Sequence, residues 1–69
     1  MDRAIGERLM ERLLALTAPL NDAVALIEQI GDERQRLELR RGIGEVMGRV
    51  YTDLMVPIIR EYPDLDPDK

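Results

Sequence analysis

The stretch Ile30–Gln35, IGDERQ, decides the fold because it separates two long amphipathic segments. Gly31 favours the end of a helix, and Asp32 followed three residues later by Gln35 has the form of a capping box that starts another helix. Two helices joined by so short a connection pack as antiparallel neighbours. The sequence therefore predicts an all-α protein, an antiparallel helical hairpin with its turn at residues 31–32.

On the N-terminal side of the turn, apolar residues recur at alternating intervals of four and three. They are Leu9, Leu13, Leu16, Leu20, Ala23, Ile27 and Ile30. This is the a/d pattern of a helical seam. Pro19 lies within it, and proline removes a backbone donor and clashes with the preceding turn. We expect the first arm, about residues 3–30, to be kinked at Pro19, or else divided there, with Thr17 capping a second helix and Pro19 in its first turn.

On the C-terminal side, a second arm of about residues 33–56 carries its own apolar stripe. The stripe consists of Ile43, Met47, Val50, Leu54 and Ile58. We expect Pro57 and then Pro63 to end this helix, because the residue before a proline disfavours helical geometry. Residues 1–62 would then form a single helical domain, followed by an acidic C-terminal tail at residues 63–69.

Three glycines in the second arm raise the question of a phosphate-binding loop. Such loops need their glycines at a different spacing and after a strand, and the surroundings here are helical. Folding the hairpin at the turn pairs residues whose numbers add to about 63, which sets Pro19 against Gly44 and Ala15 against Gly48. Since small residues let helix backbones approach closely, we predict a close-packing contact formed by Pro19, Gly44 and Gly48.

The apolar surface is wider than one hairpin can cover, because several residues flank the seam on both arms. They are Met10, Leu14, Leu39, Val46, Met55 and Ile59. A helix that packs on the surface of a protein needs an apolar stripe narrower than the one formed by these residues and the seam together. We therefore predict a homodimeric four-helix bundle with twofold symmetry, in which Met10, Leu14, Val46 and Met55 contact the partner. A compact three-helix monomer is the alternative.

Arg36 and Arg40 continue the apolar line of the second arm and would point inward near the tip of the hairpin. Buried arginine is seldom unpaired. An antiparallel dimer would bring the acidic tail of one subunit to the tip of the other, so we predict that Arg36 and Arg40 are dimer or partner contacts. The alternative is that both side chains extend along their stems into solvent.

The composition excludes most enzymatic chemistry. The 69 residues include no Ser, Cys or His, so the usual nucleophiles, the usual general base and most transition-metal ligands are missing. Asp64, Asp66 and Asp68 resemble half of a calcium loop without its glycine or its final glutamate. We predict no catalytic residue, no cofactor and no metal site.

Charge and hydropathy limit the partners and the location. The net charge is −4, and an acidic chain is a poor general ligand for nucleic acid. The start of the chain, MDRAIGER, lacks the order of a signal peptide, and no apolar run approaches the length of about 20 residues that spans a bilayer. We expect a soluble, cytoplasmic protein with no membrane contact.

These observations predict a small non-enzymatic interaction module or accessory subunit that binds itself and another protein of unknown identity. The alternative is a small DNA-associated regulator that uses the arginines between Arg34 and Arg41. A third hypothesis, an enzyme working through carboxylates alone, would require a buried carboxylate pair with separated pKa values.

Overall fold

The computed structural model describes residues 1–68 and shows two helical arms folded as a hairpin. Its elements, in chain order, are α1 (Arg3–Leu14), α2 (Thr17–Ile27), α3 (Glu33–Arg49), a π-helical segment (Val50–Met55), α4 (Val56–Glu61) and a 3-10 turn (Pro63–Leu65). The first two helices form one arm, and α3, the π-helical segment and α4 form one helical path in the other. No strand occurs within residues 1–68. The predicted all-α hairpin is therefore confirmed.

The connection between the arms begins earlier than predicted and ends where predicted. The side chain of Asp32 accepts hydrogen bonds from the backbone N–H groups of Arg34 at 3.0 Å and Gln35 at 3.3 Å, which caps α3. The first arm leaves the α-helix after Ile27, so the connection comprises residues 28–32. The turn is longer than the two residues predicted, and Gly31 ends no helix by a positive φ.

The first arm is divided, so the alternative of two helices is correct and the single kinked helix is wrong. The break lies at Ala15 and Leu16, three residues before Pro19. Pro19 then falls in the first turn of α2, where the N–H groups have no intrahelical acceptor and a missing donor costs little. The predicted cap at Thr17 is wrong, because Thr17 is the first residue of α2, Leu16 occupies the capping position and no side chain caps this helix.

The second arm continues through Pro57, which was predicted to end it. Proline cannot donate a backbone hydrogen bond, and its ring clashes with the carbonyl four residues earlier. The π-helical segment directly before it relieves both problems, because its hydrogen bonds span five residues, as in the bond from the Val56 N–H to the Tyr51 carbonyl. The helical path therefore runs from residue 33 to residue 61.

The core lies where α1 meets the π-helical segment and α4. Its buried side chains are Met10, Leu13, Met55 and Ile58, of which Ile58 is only 1% exposed. Half-buried side chains pack around them at Val50, Ile59, Tyr62 and Leu65. In contrast, α2 and α3 contain no buried residue. The one buried apolar cluster within residues 1–68 thus lies at the end of the hairpin that carries the chain termini.

The molecule is elongated, with Cα extents of 46 × 19 × 17 Å. Its radius of gyration is 14.8 Å, whereas a compact domain of this length has a value of about 11 Å. A long, thin hairpin covers less apolar surface than a compact domain of the same length. The shape therefore explains why so few side chains are buried.

The two arms pair in a different register from the one predicted. Gly6 contacts Tyr62 and Glu28 contacts Arg40, so facing residue numbers add to 68 in both pairs instead of 63. The connection at residues 28–32 runs back along α3, and this moves α2 farther along that helix than a tight turn would. Leu9 and Leu16, both predicted for the seam, are 41% and 42% exposed.

The predicted glycine contact is also wrong. A Cβ atom added at Gly44 or Gly48 would meet nothing within 4 Å, so neither glycine accommodates Pro19. Close packing occurs instead at the buried Gly6. There an added Cβ would lie 3.3 Å from two ring carbons of Tyr62 and 3.3 Å from the sulfur of Met1.

A matched pair of substitutions tests this assignment. Gly6→Leu should lower the free energy of unfolding by about 1–3 kcal/mol, because the new side chain overpacks against the Tyr62 ring. Gly44→Leu should raise it by about 0.5–1 kcal/mol, because leucine is the better helix former and meets open space. Urea denaturation followed by circular dichroism measures both, and equal effects would contradict the packing described here.

Candidate interaction surface

The described residues offer no buried acid–base or metal chemistry. Within residues 1–68 no polar or charged side chain is buried, and no group of three carboxylates is arranged to hold a metal ion. In the tail, Asp64 pairs with Arg3, and Asp66 accepts the backbone N–H of Asp68 at 2.9 Å. The third hypothesis therefore receives no support from these residues, since separated carboxylate pKa values require burial.

Arg36 and Arg40 are engaged at the tip of their own hairpin. Arg40 donates two hydrogen bonds to the carboxylate of Glu28, at 2.9 and 2.6 Å. Arg36 donates to the carbonyl oxygen of Ile30 at 2.8 Å. Both contacts tie the connection to α3. Arg40 therefore has a carboxylate partner within its own chain, whereas Arg36 has a neutral carbonyl partner.

The two ends of the chain hold each other through a cluster that we call the terminal clasp, formed by Met1, Arg3, Glu61, Tyr62 and Asp64. The Met1 ammonium group lies 2.9 Å from Glu61, and Arg3 pairs with Asp64. The Tyr62 hydroxyl donates to the Met1 carbonyl oxygen, and the Arg3 guanidinium lies over the Tyr62 ring, 5.4 Å from its centre. The acidic tail thus contacts the N-terminus of its own chain.

Within the clasp, the environment of Tyr62 changes its proton affinity. Burial, followed by the negative charge of Glu61, raises the pKa of the Tyr62 hydroxyl above its ordinary value. A raised pKa in the folded state means that the folded chain holds this proton more tightly than the unfolded chain does. The corresponding stability is present below the unfolded pKa of about 10 and is lost as the pH rises through the folded pKa.

This pH dependence can be measured on a single tyrosine. In the variant Tyr51→Phe, Tyr62 is the only tyrosine, because the chain has two. We expect the absorbance of its tyrosinate to appear at a higher pH in the folded chain than in the same chain in urea. The melting temperature should fall above pH of about 10, and should fall less steeply when Tyr62→Phe is added. Identical midpoints with and without urea would contradict the assignment.

The surface carries two exposed apolar strips that follow helices. The first, the α1 strip, consists of Ile5 and Leu9 with Arg8 and Arg12 beside them, and these four residues line a shallow depression of about 210 Å³. Both apolar side chains are exposed. Neither arginine makes an ion pair within residues 1–68. The strip therefore presents apolar surface bordered by free positive charge.

The second strip, the α3 strip, runs from the end of α3 into the π-helical segment. It consists of Val46, Val50 and Leu54 at intervals of four, bordered by Arg49 and Asp53, and these five residues line a depression of about 300 Å³. Val46 is 53% exposed and Leu54 is 47% exposed, whereas Val50 is half-buried and packs partly against the core. Unlike the α1 strip, it is bordered by charges of both signs.

A third depression, of about 440 Å³, lies near the start of α3 and is lined by Arg34, Leu37, Glu38 and Arg41. It contains the two outward-facing arginines of the run proposed to contact DNA. The other two, Arg36 and Arg40, are bound to the connection. Half of the positive charge on which the DNA alternative depends is therefore engaged within the chain.

The predicted partner contacts divide into two groups. Leu14 and Val46 are exposed, as a contact surface requires. Met10 and Met55 instead pack in the core of the single chain, because α1 turns the face containing Gly6, Met10 and Leu13 inward. The interval of four and then three between these residues was the available signal for this face. It was missed because the same spacing also fits the stripe through Leu9.

Comparisons with protein-family models, with curated proteins and with solved structures find no match to this chain. Among residues 1–68, no helix combines the length and the apolar character needed to cross a bilayer.

Proposed function

We propose that the chain is a non-enzymatic protein–protein interaction module that acts in the cytoplasm as a helical homodimer, in which two hairpins form a four-helix bundle. One observation carries the proposal: α2 and α3 pack on each other, yet neither buries a single residue. The apolar side chains along them are only half-buried, at Leu20, Ala23, Val24, Ile27, Ile43 and Met47.

A second hairpin would complete this half of the molecule. A chain of this size has a core that usually supplies only about 3–5 kcal/mol, and disulfides are excluded because cysteine is absent. Association is the remaining way to bury more apolar surface, and twofold dimers are the commonest soluble assemblies. The elongated shape favours the same arrangement, since two long hairpins can align along most of their length.

The α1 strip supports the second part of the proposal, binding to another protein. An antiparallel second copy on this strip would bring Arg8 and Arg12 beside the same arginines of the first copy, and such like-charge contacts are costly. An amphipathic helix that carries acidic residues beside its apolar face would meet the strip with complementary charge. As an accessory subunit, the dimer would offer one such strip on each copy.

The homodimer is tested by the mass of the chain in solution. Size-exclusion chromatography with light scattering should give twice the mass of one chain at micromolar concentration. The melting temperature should also rise with protein concentration, because dimerisation stabilises the folded state by mass action. A chain that stays monomeric in this range, with a melting temperature independent of concentration, would contradict the proposal.

The accessory role is tested by comparing three baits in pull-downs from cells that naturally produce the protein. Proteins held by the α1 strip should be recovered with the wild-type chain and lost with Leu9→Asp, which places a charge in the middle of the strip. A matched control, Leu37→Asp, alters an exposed leucine of α3 and should retain them. Equal recovery with all three baits would show that the α1 strip binds no partner.

A further inference from the structure

We infer that the α3 strip is the surface on which the second copy docks, antiparallel, with Arg49 of each copy paired with Asp53 of the other. This inference rests on the proposed homodimer and specifies its interface. Three properties of the strip carry it: the order of its charges, the spacing of its apolar side chains and its position along the second arm.

The order of the charges makes the strip self-complementary. Arg49 and Asp53 each precede an apolar member of the strip by one residue, so both lie on the same side of it. A copy that runs antiparallel reverses this order and sets Arg49 opposite Asp53, and twofold symmetry produces the same pair a second time. A parallel twofold copy would instead place the charged sides of the two strips at opposite edges of the interface, where the charges of one copy do not face those of the other. The strip therefore selects one orientation of the second copy.

The apolar spacing fits the same register. When Arg49 lies level with Asp53 of the second copy, Val50 lies level with the midpoint between Val50 and Leu54 of that copy. Side chains four residues apart form a ridge along each helix. Because the two ridges are offset by half of this spacing, the side chains of one ridge fit between those of the other. The charge pairing and the apolar packing thus require one and the same alignment.

Both charged side chains are available for such a pairing. Within residues 1–68 Arg49 makes no ion pair. Asp53 accepts one hydrogen bond, from the Thr52 hydroxyl at 3.2 Å, which leaves acceptor capacity on its carboxylate. Pairing across two copies would therefore disrupt no salt bridge within the described part of the chain.

The position of the strip favours a long contact. The centre of the proposed pairing, at the level of Tyr51, lies close to the middle of the helical path from residue 33 to residue 61. An antiparallel copy centred there overlaps most of that path. Residue 61 then lies level with residue 41 of the second copy, so the two paths overlap over residues 41–61 and the contact is longer than the depression itself.

The pairing is tested with two charge reversals and their mixture. Arg49→Asp and Asp53→Arg should each raise the dimer dissociation constant by about tenfold or more, because each homodimer then sets like charges against each other. Mixing the two variants should restore association, since a heterodimer regains both opposite-charge pairs. Sedimentation equilibrium measures the dissociation constants, native mass spectrometry identifies the heterodimer by its mass, and circular dichroism checks that each variant is folded.

The control is Arg8→Asp, which reverses an arginine beside the α1 strip and should leave the dissociation constant unchanged. If the wild-type chain dimerises and neither Arg49→Asp nor Asp53→Arg weakens the dimer, the interface lies elsewhere while the proposed homodimer stands. Weakened variants that do not associate when mixed also overturn the reciprocal pairing. A monomeric wild-type chain overturns the homodimer and this interface together.

Discussion

The contact between α1 and the end of the second arm holds all the fully buried apolar side chains of residues 1–68. It depends on Gly6, because the ring of Tyr62 occupies the space that a side chain there would fill. The terminal clasp closes around the same point. It brings Arg3 and Asp64, which are 61 residues apart in the chain, into contact. This end of the hairpin holds a closed core, whereas α2 and α3 contain no buried residue and leave their apolar side chains half-buried or exposed.

Pro57 affects the conformation of the helix that carries part of the exposed apolar surface. A proline inside a helix must be accommodated by a kink or by a change of hydrogen bonding, and here the π-helical segment provides the change. Val50 and Leu54 belong to this segment, and they follow Val46 along a single depression. The change of hydrogen bonding that accommodates Pro57 therefore lies within the part of the helix that carries the α3 strip.

Local signals in the sequence were sufficient for the hairpin class and for the start of α3 at Asp32, because capping depends on neighbouring residues. The register was not predictable in the same way. It depends on how the connection folds back along α3, where Arg36 binds the carbonyl of Ile30, and this contact has no local signature. Gly6 was overlooked because its neighbour, Tyr62, is distant in the sequence, whereas Gly44 and Gly48 attracted attention by their spacing and face open space.

The candidate surfaces were only partly predictable, since exposure depends on which face each helix turns inward. Val46 and Met55 were both predicted to contact a partner. Val46 is exposed, whereas Met55, nine residues later, is buried. The distribution of arginines then separates the exposed surfaces by chemistry. On the α1 strip both bordering charges are positive, which disfavours a second copy and suits an acidic partner. On the α3 strip Arg49 and Asp53 have opposite signs, which suits a second copy that runs antiparallel. One acidic chain can thus carry a surface for itself and a separate surface for another protein, with the order of a few charges distinguishing the two.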